Sequence, residues 1–346
     1  MSSFPSLGSL LPQFAKSDRT RHSEIHPMVT LDDIKQAQAR LNGIAVRTPL
    51  LEWTGVTAKR RLFLKLENLQ LIGAFKLRGA YNKVASLSDE ERRRGVVSYS
   101  SGNHAQGVAY AARAMQVKAV IVMPGNAPKN KLESTAALGA EIVTVGPSSE
   151  ERRVRAEQLA AEHGYVVVPP YNDEKIIAGQ GTVGLEILED LPEVEMVLVP
   201  VGGGGIISGI SAAIKLTNPA IEMIGVEPEL AADAQASLRA GHIVSFPADK
   251  VSQTLADGLR TQSIGEINFE HIRAYVDDIV TVKEDEIREA IRALSANTKT
   301  VAEPSGATAV AAFLFHSSEL PHTRNNVAVI TGGNIDPQML SEIRGT

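Results

Sequence analysis

From Val96 onward the chain alternates short runs of β-branched residues with stretches of helical periodicity, the pattern of repeated strand–helix–strand units. Strand-like runs cover residues 96–100, 118–123, 141–145, 165–168, 196–201, 222–227, 279–282 and 327–331. Most carry Val and Ile on both faces, which suits parallel strands covered by helices on each side. Helical periodicity fills residues 105–115, 149–163, 206–216 and 285–297, the last with acidic residues in its first turn. The predicted class is α/β. Pro169, Pro170 and Asn172 punctuate the chain midway, and four of the strands precede them. A small substrate-side domain is therefore expected over residues 95–172, inserted into a larger cofactor-binding domain made of 1–94 and 173–346. Residues 1–26 read as a loose arm, and a ligand is expected in the cleft, because such folds bind at strand ends and lobe junctions.

Composition narrows the function classes. With 346 residues and 43% hydrophobic side chains the chain can bury a large core. Its 35 Lys and Arg against 40 Asp and Glu leave a charge of -5, which offers no general attraction for nucleic acid or an anionic membrane. No apolar run approaches the ~20 residues needed to span a bilayer. The absence of cysteine removes thiol nucleophiles, cysteine-ligated zinc and disulfides together, and a cytoplasmic location is expected.

Three loops carry the candidate chemistry, each leading from a strand end or turn into a helix, where free backbone N–H groups can meet an anion. The first is Gly202, Gly203, Gly204 and Gly205, between the strand at 196–201 and a helix. Four residues without Cβ let a phosphate approach the amides, although a tight turn packed on the sheet would use the same glycines. The second runs Ser100, Ser101, Gly102, Asn103, His104 and suits a carboxylate; a plain Ser helix cap is its alternative. A hydrogen-bonded structural role suits His104 better than catalysis. The third places Lys76 after Phe75, among apolar and small residues at a helix start. A surface lysine is the default there, but a partly desolvated one would have the neutral, nucleophilic amine that a Schiff base requires.

Taken together these loops resemble the serine/threonine dehydratase and serine racemase family of fold-type II pyridoxal-phosphate enzymes. The resemblance extends from about Ile34 to Ile335 and also takes in Ala178 to Thr182, Ala256 to Gly258, Glu303 to Ala307 and Thr331 to Asn334. It implies a tryptophan synthase β-like fold of two parallel-sheet α/β domains with pyridoxal 5'-phosphate between them. Lys76 would carry the cofactor, Phe75 would flank its ring, and Gly202 to Gly205 would bind its phosphate. Asn103 would hydrogen-bond the phenolic oxygen, and Thr331 would face the pyridine nitrogen, where the family usually has Ser or Cys. Ser100, Ser101, Asn103 and His104 would receive the substrate carboxylate. The implied reaction is α,β-elimination on L-threonine or L-serine, giving a keto acid and ammonia. Serine or aspartate racemisation and hydroxyaspartate dehydration are the neighbouring activities, and Ser101 matches the serine that racemases use as an acid.

The resemblance further implies a homodimer and a divalent cation, Mg²⁺ or otherwise Ca²⁺ or Mn²⁺, held by Glu227, Asp233 and the Ala231 carbonyl. An acidic helix cap is the alternative for these residues. Arg152 either reaches the substrate carboxylate or is a solvated charge beside Glu151. Ile72 and Ala74 replace the Thr and Ser often seen before the lysine, and about a dozen residues follow Asn334, so no appended regulatory domain is expected. Two other readings stand beside this one. A nicotinamide-dependent oxidoreductase would use Gly203, Gly205 and Gly209 for a pyrophosphate and Glu227 for a ribose. A non-catalytic sensor of amino acids or nucleotides would use the same cleft.

Overall fold

The computed structural model describes residues 28–54, 59–100, 102–125, 127, 129–146 and 148–345. The expected arm over 1–26 and Ser101 lie outside the described residues. The strands are β1 (Leu50–Trp53), β2 (Arg61–Lys65), β3 (Val96–Tyr99), β4 (Ala119–Pro124), β5 (Glu141–Val145), β6 (Val166–Val167), β7 (Met196–Pro200), β8 (Glu222–Pro228), β9 (Asp278–Val282) and β10 (Asn325–Val329). They form two sheets, one ordered β1-β2-β10-β7-β8-β9 and the other β5-β4-β3-β6. Every pairing is parallel except β1 with β2, an antiparallel pair at one edge. The hydrophobic pattern missed that pair. Lys65 interrupts the apolar run of β2, yet it is buried, because its amine is held in an ion network described below.

The helices, in chain order, are α1 (Leu31–Leu41), α2 (Lys76–Ala85), α3 (Asp89–Arg94), α4 (Asn103–Ala114), α5 (Lys129–Ala137), α6 (Ser149–His163) and α7 (Glu174–Asp190). They continue as α8 (Gly205–Lys215), α9 (Asp233–Ala240), α10 (Ala248–Val251), α11 (Glu266–Tyr275), α12 (Glu284–Thr298), α13 (Pro304–Phe315) and α14 (Pro337–Arg344).

Side chains along each strand point alternately to the two faces, and both faces are filled. In β7, Met196 and Leu198 pack with Ile287, Ile291 and Val310 of α12 and α13. Val197 and Val199 face the other way, onto Val183, Ile207, Ile210 and Ile272 of α7, α8 and α11. The small sheet repeats the arrangement, with Ile121 and Met123 against α4 and Val120 and Val122 against α6. Gly209 lets α7 and α8 touch at backbone distance, since a Cβ there would sit 2.4 Å from the Ile177 carbonyl oxygen. This double wrapping leaves the loops after β3, β7 and β10 at the ends of strands, where they meet around one cleft.

Candidate active site

Those loops line a cavity of about 430 Å³. β7 stops at Pro200, and Gly204 precedes α8 with φ of 94°, a left-handed conformation that disfavours any residue with a Cβ. Among the described residues no side chain caps this helix, so its first amides are open toward the cavity. The glycines serve close packing as well. A Cβ on Gly203 would lie 2.2 Å from the Tyr171 ring, and one on Gly204 would lie 2.8 Å from Asn268 Cβ. Asn268 Nδ2 donates to the Tyr171 carbonyl at 3.4 Å and to Ser208 Oγ at 3.3 Å, so α11 holds both sides of the loop.

Lys76 is the first residue of α2, and Phe75 N–H donates to the Thr331 carbonyl at 3.1 Å. Its Nζ donates to the Pro170 carbonyl at 2.7 Å and lies 5.1 Å from the centre of the Phe75 ring. Among the described residues no carboxylate offsets the loss of water, and burial lowers the amine to about 8. Two residues on, Arg78 anchors the helix in a buried ion network. It donates to Glu67 at 2.8 Å and to Glu186 at 2.6 Å, and Lys65 donates to Glu186 at 2.6 Å. Thr48 Oγ1 donates to Glu67 at 2.6 Å, so the two acids and two bases satisfy one another away from water.

After β3, Ser100 Oγ accepts from Gly102 N–H at 3.3 Å. Gly102 is the N-cap of α4, and among the described residues no side chain caps this helix. Asn103 Nδ2 donates to Glu303 at 2.7 Å, and its Oδ1 accepts from Asn334 Nδ2 at 2.9 Å. His104 Nε2 lies 3.1 Å from the Val168 carbonyl, an acceptor, so that nitrogen carries the proton. Burial and the nearby Lys76 charge lower this imidazole to about 3, leaving it neutral with a buried, unpartnered Nδ1. Thr331, buried beyond β10, donates its hydroxyl to the Ser305 carbonyl at 3.4 Å and lines the cavity.

Glu227 and Asp233 stand apart and do not line this cavity. Glu227, at the end of β8, accepts from Ala234 N–H at 3.0 Å and Gln235 N–H at 2.8 Å. It therefore caps α9 and does not reach the glycine loop, which removes the ribose-binding role the oxidoreductase reading needed. Burial and the neighbouring Asp233 raise its carboxyl well above the usual range, and burial raises Asp233 to about 7. Both Asp233 oxygens are buried without a bonded partner; the amides of Asp233 and Ile264 come near without bonding geometry. Among the described residues no cluster of three His, Cys, Asp or Glu side chains is positioned to hold a metal.

At the cavity mouth Arg152 Nη2 donates to Ser149 Oγ at 2.6 Å, and burial lowers its guanidinium. Sequence reasoning missed several lining groups. Tyr171 follows the paired prolines, and burial raises its phenol to about 12. Lys131 of α5 pairs with Asp257 at 2.5 Å, and Glu303 lies deeper. Glu303 and Asp257 fell within segments that carried the resemblance, but nothing in their spacing marked them as cavity residues.

Residues 42–332 match the family described as pyridoxal-phosphate dependent enzyme. The chain belongs to this family. It is 48% identical over 322 residues to the L-threonine ammonia-lyase of Thermotoga maritima, covering 91% of this chain and 78% of that enzyme. It is 43% identical over 320 residues to the catabolic L-threonine dehydratase of Escherichia coli (strain K12), covering 92% of this chain and 96% of that one. Its fold is similar to maize serine racemase, with TM-score 0.87 and 38% identity over 91% of this chain and 97% of that chain. The chain is an enzyme of fold-type II.

Proposed function

We propose that this protein eliminates water from a small β-hydroxy amino acid, L-threonine or L-serine, and that water then hydrolyses the resulting imine, releasing ammonia and a 2-keto acid. The observation that carries the reading is Lys76. A lysine amine buried without an acidic partner, in a cavity shared with uncapped helix amides, is placed for covalent capture of an aldehyde. Pyridoxal phosphate, when bound, supplies an electron-withdrawing ring that stabilises negative charge at the substrate α-carbon.

The residues present fit that group. The amides of Gly202 to Gly205 and the N-terminus of α8 would hold the phosphate, and Phe75 would lie along the ring. Asn103 would donate to the ring oxygen. Thr331 would offer a neutral hydroxyl to the ring nitrogen, which leaves that nitrogen largely unprotonated. Ser100 and the first backbone amides of α4, those of Asn103 and His104, would receive the substrate carboxylate, with Ser101 expected beside them. The neutral Lys76 amine then takes the proton from the substrate α-carbon. We assign the substrate side to residues 95–172 and the cofactor side to 1–94 and 173–346.

The same scaffold supports racemisation as a second reading, favoured by the likeness to maize serine racemase. Incubation with L-serine, L-threonine, 3-hydroxyaspartate and phenylserine, recording keto acid and product chirality, separates the two. Keto acid from L-threonine, lost together with the cofactor's visible band in Lys76→Ala, is the expected result. An unchanged band in that variant removes Lys76 from its role.

We also assign a divalent cation, Mg²⁺ by preference, to Glu227, Asp233 and the Ala231 carbonyl. The two unpartnered Asp233 oxygens support it, since hard cations take oxygen ligands. Leu51 and Leu69, exposed around one surface hollow, support a homodimer. A cytoplasmic location is proposed from the lack of cysteine, and no described helix is long and apolar enough to cross a membrane.

A further inference from the structure

The scheme above leaves one buried acid unused. Glu303 is the N-cap of α13, is 6% exposed and lines the cavity. Its Oε1 accepts from Asn103 Nδ2 at 2.7 Å, while Asn103 Oδ1 accepts from Asn334 Nδ2 at 2.9 Å, and that same Nδ2 donates to the Ile72 carbonyl at 2.8 Å. An asparagine amide has one oxygen and two N–H donors. With the oxygen and one N–H taken, a single N–H of Asn103 remains. A reversed amide would set N–H against N–H at Asn334 and oxygen against carboxylate at Glu303, so the orientation is fixed at both ends. Gly332 keeps the path of this bond clear, since a Cβ there would lie 2.2 Å from Glu303 Oε1 and 3.2 Å from Asn103 Nδ2.

We propose that Glu303 is a positioning residue: through Asn103 it aims the one remaining amide proton at the ring oxygen of bound pyridoxal phosphate, and it ties the small sheet's α4 to the large sheet. The inference rests on the pyridoxal-phosphate reading and adds to it a residue and a control. The control is charge. Burial, then the charge of Asp257, raise Glu303 to about 7, while the Asn103 bond and Lys131 act in the opposite direction. Of the other ionisable groups at the cavity, Lys76 of α2 is turned to the Pro170 carbonyl and His104 of α4 is neutral.

Lys131 and Asp257 pair across the mouth at 2.5 Å, one from α5 and the other from the 3-10 turn Asp257–Leu259. Separating them leaves the Asp257 charge to bear on Glu303 and favours its protonation. A protonated Glu303 is a weaker, uncharged acceptor, and the aim of Asn103 loosens.

The test uses the holoenzyme, with kcat, kcat/KM and the cofactor's visible spectrum followed from about pH 5.5 to 9. Wild type is expected to lose activity as pH falls through about 7, where the carboxylate takes up a proton. Glu303→Gln, which keeps the shape, should lose the step near 7 and retain only the shallower acidic limb set by Lys76, shift the visible band and lower kcat about tenfold at pH 8 while its Tm stays near wild type. Asn103→Ala should cost a similar factor, and the double variant little more than either, because Glu303 acts through Asn103. A wild-type pH profile in Glu303→Gln, or losses that multiply in the double variant, overturns the proposal. Wild-type protein that shows no cofactor band overturns the pyridoxal-phosphate reading itself, and this inference with it.

Discussion

Replacing Gly204 by alanine puts a methyl group where the backbone and a neighbour both resist it. The residue sits at φ of 94° as the N-cap of α8, and an alanine held in the left-handed region costs about 1–2 kcal/mol. The new Cβ would lie 2.8 Å from Asn268 Cβ, against ~3.5–4.0 Å for carbons in comfortable contact. Asn268 cannot swing aside cheaply, because it is buried and bonds to both the Tyr171 carbonyl and Ser208. Overpacking of this kind costs about 1–3 kcal/mol, for a total of ~2–5 kcal/mol. At roughly 2 °C per kcal/mol for a chain of this size, the apo-protein should melt about 4–10 °C lower. Because the strain falls on the amides assigned to the phosphate, the cofactor dissociation constant should rise at least about tenfold, equivalent to ~1.4 kcal/mol. Thermal unfolding of apo-protein and absorbance titration with pyridoxal phosphate measure the two effects. Gly125→Ala is the control, since its Cβ meets only the Val145 carbonyl at an ordinary 3.4 Å. Gly204→Ala protein matching wild type in both measurements would refute the argument from loop geometry.

Arg78→Met leaves Glu67 and Glu186 buried with Lys65 as their remaining cation, and should cost about 3–5 kcal/mol by urea denaturation; a loss below about 1 kcal/mol contradicts the network's role. The rate at which apo-protein captures pyridoxal phosphate should rise as pH passes about 8 and then level off, because Lys76 is neutral above that value; a rise centred at its ordinary 10.5 would show an amine exposed to water. Mg²⁺ should raise Tm, EDTA should reverse it, and Asp233→Asn should abolish the response. Without a cation the sign follows from Asp233 at about 7 against 3.8 unfolded. The folded state binds the extra proton, so stability should fall as pH rises between those values, and a rise would contradict the carboxylate pairing.

The strands of both sheets from β3 onward were legible because doubly buried parallel strands show unbroken Val and Ile runs, and boundaries moved by one or two residues. β10 shifted most, from 327–331 to Asn325–Val329, since polar Asn325 and Asn326 hid its start. β1 and β2 were not legible because Arg61 and Lys65 bound a run of three apolar residues, and Lys65 finds its partner Glu186 121 residues away. The glycine loop and Lys76 stood out because their chemistry is local. Tyr171 did not, because its packing on Gly203 exists only once two lobes have met. Glu303 was equally hidden, since its bond to Asn103 spans 200 residues.

The covalent position of the cofactor is the most direct point of attack. Borohydride treatment of the purified holoenzyme, followed by proteolysis and mass spectrometry, should place a single reduced phosphopyridoxyl group on the peptide containing Lys76. A label on another lysine, or none on protein that turns over L-threonine, would contradict the assignment of Lys76 as the residue that carries the cofactor.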